Sequence, residues 1–86
     1  MRLDKYLKVS RIIKRRTVAN EACSGGRVSI NGKPGKPGAE VKIGDQLEIR
    51  FGNRLGRYEI VSIQEHAPKA DAAQMYRVLE EPEGGF

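Results

Sequence analysis

The chain has 86 residues, of which 38% are hydrophobic, and a net charge of +5. That suffices for one small core and leaves little room for a deep substrate pocket. It has no run of about 18 apolar residues to span a membrane, no basic-then-apolar secretion signal among its first residues, and one cysteine, Cys23, without an internal disulfide partner, which together predict a cytoplasmic protein.

The charge is unevenly placed. Residues 1–36 carry ten Lys and Arg against two acidic residues, a local charge of +8, whereas residues 37–86 carry six against nine, a local charge of −3. A basic front and an acidic back predict a polyanionic partner on one face.

Residues 2–9 have the spacing of a short helix. Leu3, Tyr6 and Leu7 form one apolar stripe. Arg2, Lys5 and Lys8 fall off that stripe, and Asp4 stands at the i,i+4 distance from Lys8 in a first turn where negative charge suits the helix dipole. Ser10–Thr17 follows as a corner with four cations, Arg11, Lys14, Arg15 and Arg16, and two apolar anchors, Ile12 and Ile13. Thr17 is the expected N-cap of a second helix running through Val18–Cys23. Val18, Ala19, Ala22 and Cys23 give that helix a narrow packing face, and Ser24-Gly25-Gly26 ends it with a glycine free to turn left-handed.

The period then changes to two. Val28 and Ile30 alternate with Arg27 and Ser29 as a strand, and Asn31-Gly32 is a strong hairpin-turn signal. The Lys-Pro-Gly doublet over residues 33–38 is expected to be irregular, because proline lacks an amide hydrogen. Val41, Ile43 and a Gly44-Asp45 turn lead to Leu47, Ile49 and Phe51, the clearest strand pattern in the chain. A loop from Gly52 through Gly56 is predicted next. A strand with Tyr58 and Ile60 on one side and Val61 and Ile63 on the other follows it. Then come a short helical turn within Pro68–Met75 and an edge strand at Tyr76–Leu79. Residues 80–86 are acidic with proline and glycine, and are expected to form a frayed tail. The order predicts an α+β fold: two N-terminal packed helices, then a small, mostly antiparallel β-sheet with a short additional helix.

No catalytic constellation stands out. His66 lies in a loop-like stretch without a neighbouring ligand for a metal, and Cys23 reads as a small core residue. Neither Gly25-Gly26 nor the Lys-Pro-Gly doublet has the spacing of a phosphate loop. The carboxylates are scattered. The reading is a protein that is not an enzyme and uses no metal or cofactor. The absence of Trp and the few aromatics argue against a base-stacking platform.

What remains is the cationic set. Arg2, Lys5 and Lys8 lie on the first helix, Arg11, Lys14, Arg15 and Arg16 on the corner, Arg27 before the first strand, and Lys33 and Lys36 beside the prolines. Guanidinium groups grip phosphate with two parallel hydrogen bonds. Thr17 and the free amides of the second helix's first turn add one further phosphate position. Such a set reads backbone shape rather than base sequence. Two helices and a turn also suggest a helix-turn-helix DNA reader, but the second helix lacks the exposed run of Gln, Asn and Arg that reads a major groove.

Arg2-Leu-Asp-Lys-Tyr-Leu7, Ser10-Arg11, Arg15-Arg16-Thr17, Gly26-Arg-Val-Ser-Ile-Asn-Gly32 and Val41-Lys-Ile-Gly-Asp45 together resemble the αL RNA-binding domain named for ribosomal small-subunit protein four. The resemblance implies a domain over residues 1–50 whose helices and turn bind structured RNA, a β extension of the same domain over 51–79 and an acidic tail over 80–86. The length is similar to that of the free-standing members of this family, the RqcP-type factors of bacterial ribosome quality control and the heat-shock ribosome-binding proteins. Among these, the acidic end favours the RqcP type. The resemblance implies a monomer that binds large ribosomal subunits obstructed by a nascent chain on transfer RNA, through ribosomal RNA and peptidyl-transfer RNA, and supports C-terminal alanine tailing alongside a tailing factor, with no membrane partner. The alternatives are a detached module that guides an RNA-modifying enzyme in trans and a heat-shock-type ribosome recycling factor.

Overall fold

The computed structural model describes residues 1–80. Helix α1 (Leu3–Val9) turns Leu3, Tyr6 and Leu7 fully inward. No side chain caps its start. The amides left over in a first helical turn are met instead by the proline-glycine loop: Leu3 N–H donates to Ala39 O at 2.7 Å and Asp4 N–H to Pro37 O at 3.2 Å.

The corner after α1 is held from inside. Ser10 is buried, and its hydroxyl donates to Leu7 O at 3.3 Å. Arg11 takes a left-handed φ of 63°, uncommon for a residue with a side chain. Ile13 N–H returns to Leu7 O at 3.1 Å, and the Ile13 side chain enters the core. The chain thereby reverses, so that helix α2 (Arg16–Ser24) packs on α1 through Ala19, Ala22 and Cys23. The stop of α2 is the expected one. Gly26 has φ +75°, Gly26 N–H donates to Cys23 O and Arg27 N–H to Ala22 O, which is the Schellman pattern.

Two expectations about α2 are corrected. Thr17 is not its N-cap; the helix begins at Arg16, Arg15 supplies an extended cap without a side-chain bond, and Thr17 is exposed in the first turn. Val18 is 46% exposed rather than part of the packing face, because Asn20 and Ala19 turn toward α1 in its place.

Among the described residues five antiparallel strands, numbered along the chain, make one sheet in the order β2-β1-β3-β4-β5, so the α+β expectation holds. Strand β1 (Val28–Ile30) and strand β2 (Lys33–Pro34) form a hairpin around Asn31-Gly32, where both turn residues have positive φ, 51° and 82°. Lys33 and Pro34 are therefore a short edge strand and not irregular, since an edge tolerates a proline that donates no hydrogen bond. Strand β3 (Gln46–Phe51) buries Leu47 and Ile49 as its alternation predicts.

Strand β4 (Arg54–Ile60) starts earlier than expected, and Gly56 lies inside it. A Cβ at Gly56 would stand 2.7 Å from the Tyr58 hydroxyl, so glycine there makes room for a ring. The strand also ends sooner. Val61 and Ser62 donate their amides to Met75 O, at 2.8 and 3.0 Å, instead of extending the ladder. Helix α3 (Lys69–Ala72) and strand β5 (Tyr76–Glu80) fall where a helical turn and an edge strand are expected. Of the expected tail, Glu80 closes β5, and residues 81–86 lie outside the described residues.

The helices and the sheet share one core. Leu3, Tyr6 and Leu7 meet Val28, Leu47, Ile49, Tyr58, Ile60 and Met75. The buried Tyr6 hydroxyl donates to Met75 O at 2.9 Å and so ties α1 to the segment before β5. Among the described residues no helix is long and apolar enough to cross a membrane, and no His, Cys, Asp and Glu group can hold a metal.

Candidate nucleic-acid interface

One buried carboxylate organises the basic surface. Asp4 is 2% exposed, on the side of α1 that meets α2. Its Oδ1 accepts from Lys5 N–H at 2.8 Å, Arg2 Nε at 3.2 Å and Arg16 Nη2 at 3.5 Å. Its Oδ2 accepts from Asn20 Nδ2 at 3.3 Å and Arg2 Nη2 at 3.4 Å. Burial works against the charged form of Asp4. The Asn20 hydrogen bond, the charges of Arg16 and Arg2 and the Lys5 amide outweigh it and hold the carboxyl below its usual range.

The arginines each use one edge on Asp4. About half of each side chain remains in solvent, 55% for Arg2 and 47% for Arg16. The result is a pair of guanidinium groups fixed in direction and open on their outer edges. Thr17 and Arg16 line a shallow cavity with Asn20 and Glu21 on the same side of α2.

A second cationic surface lies on the corner. Lys8, Arg11 and Lys14 line a cleft of about 780 Å³ with His66, Pro68 and Lys69 on its far wall. Lys5 pairs with Glu65 at its end and holds the Glu65 carboxyl below its usual range. In place of the expected Asp4–Lys8 pair, Asp4 pairs with Arg2 and with Arg16, while Lys5 on the same helix pairs with Glu65. Arg15 is exposed at the N-cap of α2.

Arg27, exposed after α2, faces a third cavity with Arg11 and Lys14. Lys33 and Lys36 are exposed on β2 and the loop beyond it, outside these cavities. The loop that carries Lys36 is nonetheless pinned over α1 by its bonds to Leu3 and Asp4. Three participants escape sequence reasoning: Asn20 on Asp4, Lys69 in the cleft and Arg50 beside Arg27. Only Asn20, four residues after Arg16 and so on the same helical face, left a readable signal.

Two helices locked by a carboxylate, with a cationic corner between them and a β-hairpin behind, define an S4-type module. Residues 1–47 match the S4 domain, and the chain belongs to that family. Within it, the chain is 54% identical over 81 residues to the RQC P-site tRNA stabilizing factor of Listeria innocua, covering 94% of this chain and 88% of the relative. It is 48% identical over 85 residues to the factor of the same name from Bacillus subtilis, covering 99% of each. The trimeric structure of Vibrio cholerae heat shock protein 15 superposes with a TM-score of 0.83 at 35% identity, covering 91% of this chain and 80% of that one.

Proposed function

We propose that this protein is a non-enzymatic, cytoplasmic RNA-binding factor of ribosome quality control. It binds large ribosomal subunits obstructed by a nascent chain on transfer RNA, and steadies that transfer RNA while C-terminal alanine tails grow. The observation that carries this reading is the Arg2–Asp4–Arg16 arrangement. A buried carboxylate sets the direction of two half-exposed guanidinium groups, and directed guanidinium groups suit the fixed phosphate spacing of folded RNA. Relatives named for stabilising P-site transfer RNA match this chain along nearly their whole length. On this reading Arg2, Lys8, Arg11, Lys14, Arg15, Arg16, Thr17, Arg27, Lys33 and Lys36 contact RNA, and Lys5 serves both its Glu65 partner and the RNA. The factor acts as a monomer beside the tailing factor.

The higher identity to the Listeria and Bacillus factors, 54% and 48% against 35% for the heat shock protein, supports quality control over heat-shock recycling. The test is co-sedimentation of the full chain with purified large subunits carrying peptidyl-transfer RNA. Arg16→Ala is expected to leave the fold intact and abolish co-sedimentation. Binding by the variant at the wild-type level would overturn the reading. Capture of an RNA-modifying enzyme without ribosomal RNA would point instead to a module acting in trans.

A further inference from the structure

Behind the corner lies a groove at the edge of the core, where Ile12 and Phe51 pack on it and stay partly exposed. Ile12 and Val18 face Phe51 across a cavity of about 520 Å³, with Ile13 and Ile49 among its lining. Ile13 and Ile49 are core residues, yet Val18 remains 46% exposed on the groove wall. Among the described residues every charged side chain lining this cavity is cationic: Arg11 and Lys14 from the corner, Arg27 just before β1 and Arg50 near the end of β3. Arg50 N–H donates to Arg27 O at 2.8 Å, which keeps the latter two backbones together. Arg11 is held at the groove in its left-handed conformation, a costly state that the bonds of the corner enforce.

We propose that this groove takes one unstacked nucleotide of the bound RNA, with its base against Ile12, Val18 and Phe51 and its phosphates on the arginines. The inference rests on the RNA-binding reading above and adds a base subsite to it. An apolar wall calls for an apolar or planar body, and an all-cationic rim calls for an anion. A nucleotide unites the two in one unit. Three of the four cations are arginines, which both fork onto phosphate and stack on a base, as lysine does not. Arg11 and Lys14 line the cleft beside His66 as well as this groove. A backbone lying in the cleft therefore passes the groove's mouth. The walls are largely aliphatic, which explains why the scarcity of aromatics does not exclude a single base site.

The test uses the full chain and three hairpin RNAs with one common stem: one with a bulged adenosine, one abasic at that bulge and one fully paired. The bulged hairpin is expected to bind about tenfold more tightly than the abasic one. Val18→Gln, at an exposed position, is expected to erase that difference and leave the affinity for the paired hairpin unchanged. Methyl signals of Ile12 and Val18 are expected to shift with the bulged hairpin alone. Equal affinity for bulged and abasic RNA, with the paired hairpin still bound, would overturn the base subsite and leave the RNA-binding reading standing. Binding of none of the hairpins would overturn both. Shifts at Ile12 and Val18 on adding an acidic, leucine-containing peptide, with none on adding the bulged hairpin, would make the groove a protein-docking site and end the proposal.

Discussion

Asp4 and Arg16 join α1 to α2 through a contact of 3.5 Å in which the carboxylate is buried and the guanidinium half exposed. Simple charge counting says that removing Asp4 makes a basic face more basic and tightens its hold on RNA. The geometry says the reverse. Without Asp4 the Asn20 amide and the Lys5 N–H lose their acceptor, and Arg2 and Arg16 lose the group that directs them. Asp4→Ala is expected to lower stability by about 1–3 kcal/mol, mostly from the partly buried amides that lose their acceptor, because the half-exposed arginines are screened by water. RNA affinity is expected to fall about three- to tenfold as two side chains must be ordered on binding. Urea unfolding and a filter-binding titration measure the two effects, and tighter RNA binding by the variant would refute the positioning role.

The same carboxylate sets a pH dependence. Burial raises the Asp4 pKa, but the Asn20 bond, the Arg16 and Arg2 charges and the Lys5 amide bring it below the ordinary 3.8. The unfolded state then binds more protons in that window, so the stability due to Asp4 is fully present above about pH 5 and is lost as pH falls through the lowered folded value. Urea midpoints taken from about pH 6 down to about pH 3 are expected to drop for the wild type. Asp4→Asn is expected to flatten part of that drop, and an identical profile in the variant would show that other carboxylates govern it.

Cys23 gives a third check. Burial pushes its thiol up, and the nearby negative charge of Asp4 adds to the effect, to about 11. The thiolate is the form that alkylates, so at a given pH near neutrality its population is about a hundredfold lower than that of a thiol at the ordinary 9.0. Iodoacetamide labelling of the folded protein is expected to be slower than this factor alone gives, because the sulfur is also enclosed. Mass spectrometry with and without urea reads the difference. Rapid labelling of the folded chain would show that the α1–α2 seam opens freely.

The elements were legible where one local rule decides them. The stripe of Leu3, Tyr6 and Leu7, the glycine stop at Gly26, the Asn31-Gly32 turn and the alternation through Leu47, Ile49 and Phe51 all appear in the structure as the spacing predicts. The partnerships were not legible, because they are set by docking. Helical spacing assigns Asp4 to Lys8, yet α2 brings Arg16 and Asn20 to it from 12 and 16 residues away. Lys5 finds Glu65 at a separation of 60 residues. Arg50 reaches the corner only because β3 lies beside β1 in the sheet. Gly56 reads as a loop residue until the Tyr58 ring claims its space. The cations of the corner could be named from sequence, whereas the surfaces they share could not.

The Lys-Pro-Gly doublet supplies a paired test of packing, since its two glycines have opposite surroundings. A Cβ at Gly35 would stand 2.7 Å from Leu3 Cδ2 and 3.2 Å from Ile30 Cγ1. Leu3 is fully buried and cannot swing aside, and Gly35 N–H is fixed on Val28 O at 2.8 Å. Among the described residues a Cβ at Gly38 meets nothing within 4 Å. Gly35→Ala is therefore expected to cost about 1–3 kcal/mol through overpacking. Gly38→Ala is expected to change stability by no more than about 0.5 kcal/mol, with a slight gain from a stiffer unfolded chain. Urea midpoints at unchanged m-value separate the two. The loop's carbonyls at Pro37 and Ala39 also hold the first amides of α1, so displacing Gly35 is expected to disturb Arg2 and weaken RNA binding as well. Equal stability of the two variants would mean that the loop lies on α1 loosely, and the Arg2 side of the interface would then need another anchor.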